Sequence, residues 1–101
     1  MAIEYVVRCL CETPALSASL ERWLVDEHFA EVRTAGATES TAVRFDDAPL
    51  VVEARYRFAS REAFAAYERD HAPRLRAQGR TLFPEGVRFE RRLGELLGRD
   101  S

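Results

Sequence analysis

Two histidines are the residues of this chain best suited to moving a proton near neutral pH, and they stand in matching surroundings. His28 follows Glu27 and His71 follows Asp70. A neutral imidazole offers one donor and one acceptor, and it titrates close to physiological pH. Residues 26–36 align without a gap on residues 69–79. Each histidine is followed by an apolar residue four positions on (Val32, Leu75), an arginine five on (Arg33, Arg76) and a glycine eight on (Gly36, Gly79). We read this as one supersecondary unit used twice. The catalytic candidates are His28, His71 and Tyr5. The ligand-contact candidates are Trp23 and Tyr67, with Arg55 and Arg57, whose guanidinium forks suit a carboxylate. Adjacent residues on a helix do not face one another, so neither Glu27 nor Asp70 is automatically the orienting partner. A structural reading stands beside the catalytic one: His71 shares a helical stripe with Phe64, Tyr67 and Leu75, and each ring nitrogen could bond carbonyls freed where a helix breaks.

A metal centre is not expected. Cys9 and Cys11 are the only cysteines; two apart on a strand they point to one side, a bridge between them would be strained, and buried thiols are the simpler reading. Two histidines and scattered acids provide no metal-ligand spacing. Nor is there a glycine-rich phosphate loop or a nucleophile elbow, so no cofactor is expected.

The elements that position these residues follow from local pattern. At 101 residues there is room for one core, and we expect a single domain over residues 1–97 with a flexible tail over 98–101. Residues 3–11 alternate and are rich in β-branched and aromatic side chains, which predicts a strand with Ile3, Tyr5, Val7, Cys9 and Cys11 on one face. Thr13-Pro14 is a helix start. The helix then carries Leu16, Leu20, Trp23, Leu24 and Glu27 on one side, with Trp23 in the core, and a short helix after His28 stops at Gly36. Strands are predicted at 38–45 and 50–58, joined by a turn over Asp46-Asp47-Ala48-Pro49. Ser60 caps a second helix, which Pro73 should break between Asp70 and Pro73, with Gly79 as a candidate stop of the restarted piece, although Leu82 and Phe83 suggest a further short turn before Pro84. A last strand is predicted from Val87 to about Leu93.

The order strand, helix, strand, strand, helix, strand is the α+β, ferredoxin-like split β-α-β plan: a four-stranded antiparallel sheet with both helices on one face. The uncovered face would carry Glu4, Val6, Arg8, Leu10, Glu53, Arg55, Arg57, Arg88, Glu90 and Arg92, with Arg44 as a marginal member. Apolar side chains among paired charges suit a sheet packed on a second copy of itself, so we expect a homodimer closed as a dimeric α+β barrel. Glu4, Glu53 and Glu90 would neutralise most of the arginines within that face.

Trp23, His28, Val32 and Gly36, with Tyr67, the run His71-Ala72-Pro73-Arg74-Leu75-Arg76, Phe83 and Phe89-Glu90, make the chain resemble the bacterial family called domain of unknown function 4286. That resemblance implies a dimeric α+β barrel and carries no assigned activity. Phe29-Ala30, where a proline after the first histidine would match better, implies a gentler bend in the first helix than in the second.

Composition narrows the partners. Fifteen arginines against seventeen acids leave a net charge of -2, which does not favour nucleic acid. No apolar run approaches the roughly 20 residues that span a bilayer, and Met1-Ala2-Ile3-Glu4-Tyr5 lacks the opening of a signal peptide, so a cytoplasmic protein without membrane contact is expected. The leading functional expectation is a module that binds a small ligand or a partner. The alternative is a cofactor-independent enzyme, monooxygenase- or isomerase-like, acting on a small organic molecule in the barrel cavity.

Overall fold

The computed structural model describes residues 1–100. The alternating run becomes β1 (Ile3–Cys11), a central strand flanked by β3 (Ala48–Phe58) and β4 (Val87–Glu95), with β2 (Glu39–Phe45) beyond β3. Every pairing is antiparallel. This is the ferredoxin-like arrangement that the order of elements predicts. The hairpin between β2 and β3 is tighter than expected. Phe45 pairs with Ala48, so only Asp46 and Asp47 turn, and Pro49, the second residue of β3, falls in the register shift that follows Arg44, where proline is tolerated.

Thr13 starts the first helix as its sequence suggests. Its Oγ1 accepts from the Leu16 amide at 3.1 Å, and Pro14 sits in the first turn of α1 (Pro14–Trp23). The chain does not break at His28. A single widened π-turn, Leu24–His28, joins α1 to α2 (Phe29–Thr34). Phe29-Ala30 offers no proline to remove an amide, so an inserted residue is absorbed inside one continuous rod. Glu27 was expected on the inward stripe but is exposed, whereas Leu24 and Val32 are buried and His28 is half-buried. The inserted residue rotates the side chains beyond it about the helix axis. Ala35 ends the rod, and Gly36 takes φ +127°, which a residue without Cβ adopts freely.

The second helical arm does break. Ser60 Oγ accepts from the Ala63 amide at 3.1 Å to start α3 (Arg61–Asp70); His71 leaves helical geometry at φ -129°, and α4 (Ala72–Leu82) restarts with Pro73 in its first turn. Gly79 is not the stop that its sequence suggested. It is buried inside α4, where a Cβ would lie 3.5 Å from the Trp23 ring. The indole packs over the helix at this point, at a distance that a Cβ would meet as an ordinary contact.

Leu20, Leu24, Val32, Phe64, Tyr67, Ala72 and Leu75 from the helices pack on Ile3, Tyr5, Cys9, Val52, Ala54, Tyr56 and Phe58 of the sheet. Burying side chains of this size contributes roughly 1.5–3 kcal/mol apiece before entropy is counted. Trp23 is packed against this core but remains half-buried. Arg44, placed from sequence at the margin of the open face, points the other way. It pairs across the ladder with the inward residue Val52 and bonds Ser17 Oγ (3.1 Å), Ser17 O (3.3 Å) and Glu21 (2.6 Å) on α1.

The open face holds ion pairs Arg57–Glu4 (3.2 Å), Arg57–Glu39 (2.8 Å), Arg55–Glu53 (2.7 Å) and Arg88–Glu90 (3.6 Å), with Val6, Leu10 and Val51 half-buried among them. No helix among the described residues is long and apolar enough to cross a membrane. Of the tail expected over 98–101, Ser101 lies outside the described residues.

Candidate functional site

Small residues facing large ones open a pocket between the helices and the sheet. On the sheet floor Val7 pairs with Ala54, and Cys9 with Phe89, while Tyr5 and Tyr56 pair beside them. Gly79 on α4 leaves room above. The resulting cavity, about 50 Å³, is bounded by rings: Tyr5, Tyr56, Tyr67, Phe89, Trp23 and His28, with Leu24 and Leu75 between them. Arg76 and Arg80 of α4 and Arg91 of β4 complete its lining.

His28 is fixed by its neighbours. Its ring stacks on Trp23 (centroids 4.4 Å apart, planes 24° from parallel) and meets Tyr56 edge-on at 6.0 Å. The buried Nδ1 has no hydrogen-bond partner. Burial lowers the pKa to about 4, because an apolar site penalises the imidazolium. At pH 7 the ring is therefore neutral and able to accept a hydrogen bond.

Tyr5 and Arg76 form the second polar group. Arg76 donates to Tyr5 Oη (3.0 Å) and to Glu68 (2.7 Å), while its buried Nε has no partner. Burial works against the Arg76 charge, but the bonds to Glu68 and Tyr5 outweigh it and the pKa is raised. Burial pushes the Tyr67 phenol and the Cys9 thiol up to about 12, helped by nearby Tyr5 and Cys11 respectively. Tyr56 rises well above its ordinary value for the same first reason. These groups stay protonated at neutral pH, so Cys9 is no nucleophile. The arrangement can stack a flat molecule, accept a hydrogen bond at His28 and hold an anionic oxygen near arginine. Among the described residues no three of His, Cys, Asp and Glu cluster to hold a metal ion.

Solved structures share this fold. A dimeric ferredoxin-like protein from an uncultured marine organism superposes with TM-score 0.76 at 8% identity, over 100% of this chain and 99% of its own. SnoaB from Streptomyces nogalater, a cofactor-independent oxygenase in its N63A form, gives 0.68 at 17%, over 97% and 95%. A putative antibiotic biosynthesis monooxygenase from Nitrosomonas europaea gives 0.62 at 16%, over 92% and 89%. At such identities the likeness is one of fold. No protein-family model matches the chain, so its kinship with domain of unknown function 4286 remains a resemblance of residues. No curated protein matches it either.

Of the candidates named from sequence, His28, Tyr5, Trp23 and Tyr67 meet in the pocket. His71 does not join them; it lies half-buried at the α3–α4 break. Neither histidine fastens a helix joint, since among the described residues neither ring donates to a backbone carbonyl and neither caps the helix after it. Arg55 and Arg57 lie on the opposite face of the sheet, engaged by Glu53, Glu4 and Glu39. Sequence reasoning missed Arg76, Arg80 and Arg91 as site residues. Two signals were there to read. Residues 72, 75, 76, 79 and 80 recur at helical spacing, and Arg91 interrupts an inward-facing apolar alternation on β4.

Proposed function

We propose that this protein is a cytoplasmic homodimer that binds a small flat organic molecule in the pocket between its helices and sheet. The observation that carries this is the unpartnered, buried Nδ1 of His28 in a cavity walled by aromatic rings. Buried polar atoms are nearly always satisfied, so an orphan nitrogen on a residue that lines a pocket marks a place for a ligand atom or a water once the rings shift to admit it. Support for the homodimer comes from Val6, Leu10 and Val51 on the uncovered sheet and from the neighbour described as dimeric. Cys9 and Cys11, both free thiols, suit a reducing compartment. The test of binding is titration of 2-naphthol against wild type and His28→Ala, followed by calorimetry. Saturable heat in the wild type that weakens about tenfold in the variant, the size of one good hydrogen bond, supports the reading; no heat in the wild type removes it.

A second reading is favoured by the same imidazole and by the fold shared with SnoaB: a cofactor-independent enzyme in which neutral His28 orients the hydroxyl of a phenol or enol by accepting a hydrogen bond from it, while Tyr5 and Arg76 stabilise the substrate as its anion. Dioxygen uptake with a polyhydroxylated aromatic and no added cofactor, lost in His28→Ala, is its expected signature. Turnover that persists in that variant would end it.

A further inference from the structure

We propose that the pocket selects a planar aromatic anion, a monocyclic or bicyclic hydroxyaromatic carboxylate, and that Arg80 and Arg91 recognise its carboxylate across the seam between α4 and β4. The proposal rests on the pocket being a ligand site, and it adds the charge of the ligand and the residues that read it.

Three guanidinium groups line a cavity whose other walls are rings and small apolar residues. Glu68 engages Arg76, but among the described residues neither Arg80 nor Arg91 forms an ion pair. This contrasts with the open face of the sheet, where Arg55, Arg57 and Arg88 all have carboxylate partners. In a chain of net charge -2, unpaired arginines converging on one cavity concentrate positive potential there, and such a field favours an anion. Guanidinium reads carboxylate in a two-pronged, planar geometry, which suits the rim of a flat slot.

The ring and the hydroxyl follow from the rest of the lining. Trp23 and Phe89 offer faces and edges to an aromatic ring. His28 Nδ1, buried and without a partner, accepts from a ring hydroxyl deeper in the slot. A molecule with a carboxylate at one end and a hydroxyl at the other satisfies both ends at once. The cavity of about 50 Å³ has room for only a few waters, so the ring enters by displacing side chains. Those free to move are on the seam: Arg80 and Arg91 are exposed, and β4 is an edge strand held only by β1. Arg91 already lies 5.7 Å over the Phe89 ring, so drawing its guanidinium onto a carboxylate also moves the cover off that wall.

The chain has one tryptophan, Trp23, and it lines the pocket, so its fluorescence reports occupancy. Calorimetry and Trp23 quenching are measured with 6-hydroxy-2-naphthoate, whose hydroxyl and carboxylate lie at opposite ends, and with 2-naphthoate, 2-naphthol and hexanoate, on wild type and on Arg91→Gln and Arg80→Gln, both exposed positions that leave the core intact. The expected order is 6-hydroxy-2-naphthoate tightest, then 2-naphthoate, with 2-naphthol weaker and hexanoate weakest. Each arginine variant should weaken the two naphthoates by about tenfold, as expected for losing one charge-assisted contact, and leave 2-naphthol nearly unchanged. In His28→Ala the advantage of the 6-hydroxyl should vanish. If 2-naphthol binds as tightly as the naphthoates, or if the arginine variants bind them unchanged, the anion assignment is overturned while the pocket survives. If no aromatic compound quenches Trp23 or releases heat, both fall.

Discussion

His28 is kept neutral by the rings packed on it, which makes its protonation an unfolding force. Its pKa is lowered from 6.5 to about 4 in the folded chain by burial, and Arg76, Arg80 and Arg91 around the same pocket give the imidazolium no compensating partner. Above pH 6.5 both folded and unfolded chains leave the ring neutral, and its contribution is constant. Between 6.5 and 4 the unfolded chain takes up the proton first, so stability falls with pH, by on the order of 3 kcal/mol across that window. Urea midpoints measured from pH 7 to pH 4 should therefore slope downward in wild type, and His28→Gln should flatten the slope; parallel slopes in the two proteins would refute the assignment. Gly79 makes a second case at this scale. It lies in the interior of α4 with 3.5 Å between a built Cβ and Trp23, an ordinary contact, so Gly79→Ala should raise stability by about 0.5–1 kcal/mol in thermal melts. A loss would mean that the indole packs more tightly on the helix than this spacing allows. The residue-scale reading from sequence found His28, Tyr5, Trp23 and Tyr67 because their types are rare and chemically suggestive. It passed over Arg76, Arg80 and Arg91 because arginine is the chain's only basic residue type and occurs fifteen times. Only the fold shows which arginines lack partners.

At the scale of elements, the signals that worked were local and covalent in origin. Thr13 and Ser60 cap because their oxygens reach amides three residues on, and Pro73 breaks the second arm because it has no amide to give. The π-turn at Leu24–His28 was illegible because no residue type demands it; it accompanies the stacking of His28 on Trp23 and the approach of Gly79, both tertiary contacts. The direction of Arg44 was missed for a different reason: the strand alternates regularly as far as Arg44, with Ser40, Ala42 and Arg44 opposite the inward residues Tyr56, Ala54 and Val52, but it places the arginine on the inward face and the apolar Val43 on the outward one. That arginine ties β2 to α1 through Ser17 and Glu21, and Ser17 is itself only 2% exposed. Arg44→Ala removes these bonds from a half-exposed pair and strands the Ser17 hydroxyl with a single long bond to Pro49 O (3.4 Å). The expected cost is about 1–2 kcal/mol, read as a lower urea midpoint at unchanged slope. A midpoint that does not move would show that solvent replaces every bond the side chain makes.

The whole molecule presents one sheet face with no helices over it, and the physics of that face turns on its apolar minority. Its ion pairs, Arg57 with Glu4 and Glu39 and Arg55 with Glu53, are closed within the subunit, and partly exposed pairs of this kind add little to association. What a second copy would gain by covering the face is the burial of Val6, Leu10 and Val51, placed between those pairs on the two central strands. Val6 stands opposite both Arg55 and Arg92 on its flanking strands, so Val6→Arg sets a third guanidinium between two others and repeats the conflict on the partner across a twofold axis. Helix packing and the pocket lie on the other side of the sheet and should be unaffected. Sedimentation equilibrium should give twice the subunit mass for wild type and a single-subunit mass for Val6→Arg at the same concentration and with the same far-ultraviolet circular dichroism. Arg57→Ala, which frees Glu4 and Glu39 from their shared partner, should weaken association less than Val6→Arg does. If Arg57→Ala is instead the more disruptive change, the charges and not the apolar residues hold the subunits together. A wild-type protein that stays at single-subunit mass into the high micromolar range would leave the sheet face open to water and remove the homodimer from the proposal, with the pocket on the helical side still standing.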